Sequence, residues 1–379
     1  MRLFGWRHRV GRRARGLRAG AVVTALVSAL PLSALSPWIP EGVPAPGGQD
    51  RPIFKEIWGY VLKGEEKELS GAEPITDIGY FGVNLTNTGR ITQTVARPVM
   101  ALKDGSRPRI HLVIAEVSNY ALMHFSLDPQ YGVMPQLVQD IGRISAAFDG
   151  VQIDFEAVSR DDADFFIDFL RELRTSLPFG KVLSVAVPAR TQTVADAYDY
   201  TRIAPLVDRL VIMAYDEHWS TSAPGPVASL PWCSKVADYA KGVVETGKII
   251  MGLPLYGRAW QDKKLARAFG FESLQDLVTQ TNSTPVYAPE LGAHFEYSEN
   301  VVVSVFFDDE RTILDKLTLY RARGIESVSF WRVGLGPPQL WTLMDHTTPL
   351  GAAPQAAGAA VAPAGSATGP GAAAPQTGS

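Results

Sequence analysis

The chain has a single cysteine, Cys233, in 379 residues. No internal disulfide can form and no cysteine-based metal centre can be assembled. The six histidines show neither an HExxH pattern nor any His/Cys ligand spacing, so neither a metal nor a cofactor is expected. The lone thiol, in "LPWCSK", reads as a packed side chain rather than a reactive one. An excess of one charge is also missing. Lys and Arg total 36 against 39 for Asp and Glu, a net charge of -3, which removes bulk electrostatics as a reason to bind nucleic acid.

Both ends lack what a folded core needs. Residues 351–379 contain no charge and no aromatic ring, and such a segment cannot bury enough apolar surface to offset its ordering entropy. The disordered tail is set at 348–379. At the other end, residues 1–18 hold seven arginines and no acid, and "LRAGAVVTALVSALPLSAL" follows. This is the pattern of an export signal. The apolar run from Ala19 to Ser36 is near the lower limit for a spanning helix, with Pro31 inside it and no clean small-x-small cleavage site before Pro37. A cleaved signal and a retained membrane anchor both fit residues 1–36, and both imply export to the periplasm, cell envelope or medium. "GRRARG" lacks the surroundings of a twin-arginine signal. Residues 37–51 then form a linker and 52–347 the folded part.

With 46% hydrophobic and 20% charged residues overall, that folded part has ordinary globular composition. It contains eight β-branched or apolar runs, at 56–61, 75–83, 109–116, 150–156, 182–188, 208–215, 248–255 and 325–331. Helical patterns fall between them, at 133–147, 161–177, 232–246 and 309–323 among others. Strands alternating with helices over this length predict an α/β fold, a (β/α)8 TIM barrel, in preference to a doubly wound sheet. The interval 257–308 is too long for one crossover and carries its own β-like run, "NVVVSVFFD". A small α+β insertion after the seventh strand accounts for it. No internal repeat is present.

The fourth strand, in "FDGVQIDFEAV", carries three acids in an apolar stretch. Alternation puts Gln152, Asp154 and Glu156 on the face toward the barrel axis, and Val151, Ile153 and Phe155 on the other. Helix capping by Ser159, Asp161 and Asp162 explains the acids after 157. It does not explain Asp154, an acid inside a strand, where an unpaired buried carboxylate is costly. Two carboxylates two residues apart on one strand raise the pKa of one of them, and a carboxylic acid kept protonated is what a general acid requires. Glu156, at the C-terminal end of the strand, is the candidate proton donor, with Asp154 modulating it. Asp149 has the opposite parity and needs another partner, such as backbone amides at the bottom of the barrel.

These residues resemble glycoside hydrolase family 18, the chitinases and related N-acetylglucosaminidases. "FDGVQIDFE" is similar to the family's DGxDxDxE signature, "VIMAYDEH" to its M-x-Y-D motif, and "MGLPLYGRAW" and "SVSFWRVG" to its seventh and eighth strands. The run "MAYDEHWSTSAPGPVASLPW" resembles the bacterial spore-cortex and cell-wall glucosaminidase branch. The resemblance implies that Glu156 protonates the glycosidic oxygen while the substrate's own 2-acetamido oxygen attacks the anomeric carbon. It implies that Asp154 holds the acetamido N–H, that the Tyr215 hydroxyl meets the acetamido oxygen, and that Trp331 forms an apolar floor. Met213 shares the parity of Tyr215 and can point inward with it. Asp149, Gln152 and Asp216 would support the site. Trp219, Tyr256, Arg258 and Trp260 are placed on loops after strands six and seven, where exposed aromatics suit sugar faces. One position departs from the pattern, since Gln152 stands where many chitinases carry the middle Asp.

The expected function is an exported retaining hydrolase of β-1,4-linked N-acetylglucosamine glycans, peptidoglycan ahead of chitin. A catalytically silent glycan-binding barrel is the alternative of another class, and a structural envelope protein a third. The expected partner is a glycan polymer, and oligomeric state is not specified.

Overall fold

The computed structural model describes residues 51–261, 266–298 and 302–352. The segment 1–36, the linker up to residue 50 and the tail from 353 onward lie outside the described residues, so the expected signal or anchor falls there. Among the described residues no helix is long and apolar enough to cross a membrane.

Eight parallel strands close into a barrel. In chain order they are β1 (Glu56–Leu62), β2 (Asp77–Asn84), β3 (Arg109–Glu116), β4 (Gly150–Phe155), β5 (Val182–Pro188), β6 (Arg209–Met213) and β7 (Ile249–Pro254), and the barrel is closed by Ser327–Trp331. Between β7 and that last strand lies the insertion. Its strands are β8 (Tyr256–Gln261), β9 (Ala266–Gly270), β10 (Val286–Ala288), β11 (Gly292–Ser298) and β12 (Val302–Phe307), which makes the closing barrel strand β13. The insertion strands form one antiparallel sheet in the order β9-β8-β12-β11-β10. The helix Phe271–Thr281 packs its Phe271, Leu274 and Val278 on that sheet.

The outer helices follow from apolar spacing. In Ala163–Ser176, Phe166, Phe169, Leu170 and Leu173 recur on one face and are buried. Ser159 caps the turn leading into it by accepting from the Asp162 amide. The acidic run at 308–310 opens the helix Glu310–Ala322: Asp309 and Thr312 form a reciprocal capping box, and Asp308 pairs with the buried Lys316 at 2.5 Å.

Inside the barrel the side chains stack in layers. At the bottom, Glu56 accepts from Arg109 at 2.9 Å and from Arg209 at 2.6 Å, and Asp77 accepts from Arg109 at 2.9 Å. Asp77 also lies 2.7 Å from His111 Nε2. Glu56, Asp77 and His111 are buried and the two guanidinium groups half-buried, and the charges are mutually paired, the arrangement burial requires. Above them sits an apolar layer of Trp58, Val113, Val211 and Ile250, with Trp58 stacked on His111 at 4.2 Å.

The boundary set for the tail needs correction at its start. Residues 348–352 remain against the barrel. The Thr347 amide bonds the Phe54 carbonyl, Thr348 Oγ1 donates to the Lys55 carbonyl, and Gly351–Ala352 pair with Ser106–Arg107. Partnered backbone groups hold a stretch whose composition alone reads as unstructured.

Candidate active site

Strand β4 builds the centre of the site. Phe155 points outward, its ring 5.5 Å from Phe169 and 6.4 Å from Phe166, and this fixes the parity that turns Gln152 and Asp154 inward. Glu156 follows directly, its amide bonded to the Glu116 carbonyl at 2.8 Å. The Tyr198 hydroxyl braces the backbone on both sides of Glu156, donating to the Phe155 carbonyl at 2.8 Å and accepting from the Val158 amide at 3.1 Å.

The strand ends open into a cleft of about 870 Å³ lined by Asp154, Glu156, Met213, Tyr215, Trp219 and Trp331 among others. Asp154 is buried and its Oδ1 has no hydrogen-bond partner. Burial pushes its carboxyl above the usual range. Glu156 is also raised, first by burial and then by the charges of Asp154 and Asp216. The cleft therefore holds two carboxyl groups, two residues apart in the chain, with elevated affinity for protons. Burial likewise raises the Tyr215 phenol well above its ordinary value, so its hydroxyl stays a hydrogen-bond donor.

The floor is aromatic. Trp331 lies 5.0 Å from the Phe81 ring and 5.5 Å from that of Tyr60, and the peptide bond that follows it is cis. Glycines make room for this packing. A Cβ on Gly79 would come 2.3 Å from the Tyr60 ring, and one on Gly252 would meet Tyr215 at 3.0 Å.

Asp216 adopts a left-handed backbone conformation with φ 59°. Its carboxylate is held by the Tyr256 hydroxyl at 2.5 Å and by Arg258 at 2.7 and 3.1 Å. Three positions placed on loops by the sequence are thus corrected. Tyr256, Arg258 and Trp260 belong to strand β8 and are buried, because β8 pairs with both β9 and β12. Tyr256 and Arg258 still line the cleft. Trp260 does not: it is fully buried and its Nε1 donates to the Ser222 carbonyl at 3.1 Å. Trp219 does sit on a loop, 44% exposed. Asp149 lies at the start of β4, at the opposite end from the cleft. It accepts from one backbone amide, Ile110 at 2.7 Å, and from Arg97 at 2.5 Å.

Sequence reading missed Tyr60, Phe81 and Tyr198. Strand parity in "EIWGYV" aligns Tyr60 with Trp58 and could have found it; nothing local marks Tyr198. Among the described residues no group of three or more His, Cys, Asp or Glu is placed to hold a metal ion.

A closed (β/α)8 barrel with paired carboxyl groups and an aromatic floor at the C-terminal mouth defines the class of glycoside hydrolase barrels. The chain belongs to the glycosyl hydrolases family 18, whose family model matches residues 132–336. It is 32% identical over 207 residues to the cortical fragment-lytic enzyme of Bacillus anthracis, covering 51% of this chain and 48% of that protein. It is 25% identical over 291 residues to the cortical fragment-lytic enzyme of Bacillus subtilis (strain 168), covering 71% and 67%. The chain spans about half the length of the curated relatives at 32% identity and above that it matches over some two hundred residues. Among solved structures, the spore cortex-lytic enzyme SleL of Bacillus cereus superimposes with a TM-score of 0.69 at 24% identity, covering 79% of this chain and 76% of that one. That likeness establishes the fold.

Proposed function

We propose that the chain is an exported, retaining glycoside hydrolase that cleaves β-1,4-linked N-acetylglucosamine glycans, peptidoglycan ahead of chitin, by substrate-assisted catalysis. The observation that carries this reading is the pair Asp154 and Glu156, two raised carboxyl groups in one cleft that disfavour ionising together, so that one keeps a proton while the other carries the charge. In the proposed reaction the Glu156 carboxyl gives its proton to the glycosidic oxygen as the bond to the anomeric carbon breaks. The acetamido oxygen of the same sugar closes onto that carbon, forming an oxazolinium ion. Asp154, whose Oδ1 is unpartnered, accepts from the acetamido N–H and balances the positive charge. The Tyr215 hydroxyl donates to the acetamido oxygen and Trp331 supports the apolar face of the sugar. Water then opens the ion, with the Glu156 carboxylate taking its proton, and two inversions leave the configuration retained.

The names of the cortical fragment-lytic relatives support peptidoglycan as the polymer. The basic and apolar segment 1–36 supports action outside the cytoplasm, by secretion or from a membrane anchor. Gln152 favours a second reading, a barrel that binds such glycans without turnover, since it leaves Asp154 without an acidic neighbour below. Hydrolysis of purified peptidoglycan and of chito-oligosaccharides, parent beside Glu156→Gln, decides between them. Reducing ends released by the parent, with turnover reduced on the order of 10²- to 10⁴-fold in the variant, support the enzyme. Binding with no release by the parent supports the lectin.

A further inference from the structure

Trp219 stands on the rim of the cleft, on a loop that the barrel alone does not fix. Ser222 governs its backbone. The Ser222 hydroxyl accepts from the Trp219 amide at 3.0 Å and donates to the Ala223 carbonyl at 2.8 Å, while the Ser222 amide donates to the Trp219 carbonyl at 3.0 Å. The indole is turned by a bond from its Nε1 to Thr221 Oγ1 at 2.9 Å. Ser222 is itself anchored from the insertion, because its carbonyl accepts from Trp260 Nε1 at 3.1 Å. Trp260 cannot drift, being fully buried and in T-shaped contact with Phe306 at 6.0 Å. A second tie runs from the Ala266 amide to the Ser220 carbonyl at 2.8 Å. At the base of the loop, Asp216 is held by Arg258, two residues before Trp260 on the same strand. Strand β8 thus grips both the root and the tip of the loop.

We infer that Trp260 is a positioning residue that fixes Trp219 in the cleft wall, so that the insertion sets how a glycan is gripped beyond the reacting sugar. The inference rests on the reading that Trp219 meets a sugar face. Trp260 touches no substrate in this scheme; it acts through Ser222.

Trp260→Phe in the full chain keeps an aromatic ring in the buried site and removes the N–H. Hydrogen exchange over residues 217–224 is expected to accelerate about tenfold in this variant, with the barrel strands unchanged, because a lost brace lowers the cost of local opening. Unchanged exchange in that loop overturns the proposal. In a Glu156→Gln background, calorimetric titration with chitohexaose and chitobiose provides the second readout. Trp260→Phe and Trp219→Ala should each weaken hexamer binding about tenfold and leave dimer binding within about twofold, the range expected for one aromatic contact. The double variant should bind the hexamer no more weakly than Trp219→Ala alone. Additive losses would show that Trp260 acts by another route and overturn the proposal. If the Glu156→Gln chain binds neither oligosaccharide, the chitin-type ligand falls while the peptidoglycan reading rests on the hydrolysis assay, and the exchange result alone decides the role of Trp260.

Discussion

The hydroxyl of Tyr60 lies 3.1 Å from Oε1 and 2.8 Å from Nε2 of Gln152, 92 residues away in the chain. Both side chains are buried, and the Tyr60 ring also packs against Trp331. The amide that departs from the family's acidic pattern is therefore not idle. It ties the layer beneath Asp154 to the aromatic floor and holds that layer neutral.

Removing one member of this pair strands the other. Tyr60→Phe should cost about 1–3 kcal/mol in denaturant unfolding, the penalty for an unsatisfied buried polar group. Adding Gln152→Leu to Tyr60→Phe should recover part of the loss, since two apolar partners leave nothing unpaired. A neutral Tyr60→Phe would mean that the hydroxyl contributes nothing to holding Gln152.

The proton affinity of Glu156 is set by burial first and then by two neighbouring charges, Asp154 and Asp216, and the two can be separated. Asp154→Asn removes a like charge, so the Glu156 pKa falls and the alkaline limb of the pH–rate profile should move to lower pH. Arg258→Met strips Asp216 of its counter-charge, so the limb should move to higher pH. Profiles on a chito-oligosaccharide check both. Shifts of the same sign would show that these charges do not reach Glu156.

The same shift has a consequence for stability. The folded value of Glu156 lies above its ordinary 4.5, so the folded state binds this proton more tightly than the unfolded state. Stability is then lost as pH rises from 4.5 through the raised value. Glu156→Gln escapes this loss. It should match the parent in denaturant midpoint below the ordinary carboxylate range and exceed it at alkaline pH. A constant gap at every pH would sink the argument.

The barrel was legible because its strands alternate inward and outward with period two and its helices repeat near 3.6. The same alternation placed Asp154 on the inner face, and in the structure it lines the cleft. Trp260 was misread because "YGRAWQ" is too short for its period to be told from a loop. Its burial comes from β12, more than forty residues downstream. Tyr198 escaped for a similar reason: a hydroxyl that reaches back 43 residues to the Phe155 carbonyl leaves no local pattern. Contacts made across the barrel depend on closure, and closure is not written in any one segment.

At the other end of the barrel, Glu56 offers a test of how much the closing charge cluster contributes. Burial alone would raise its carboxyl, but hydrogen bonds and charge from Arg209 and Arg109 outweigh it and hold the value at about 2, against an ordinary 4.5. A group depressed in this way stabilises the fold above its unfolded pKa and loses that contribution as pH falls toward the folded one. The interval corresponds to about 3 kcal/mol. Glu56→Gln should lower stability by roughly this amount at neutral pH, because two half-buried guanidinium groups lose their shared anion. The deficit should shrink as pH drops from 4.5 toward 2, where the parent carboxyl is itself about half protonated. Chemical unfolding of both chains across that range checks the outcome. A deficit that persists undiminished at the acid end would place the cost in packing rather than in charge.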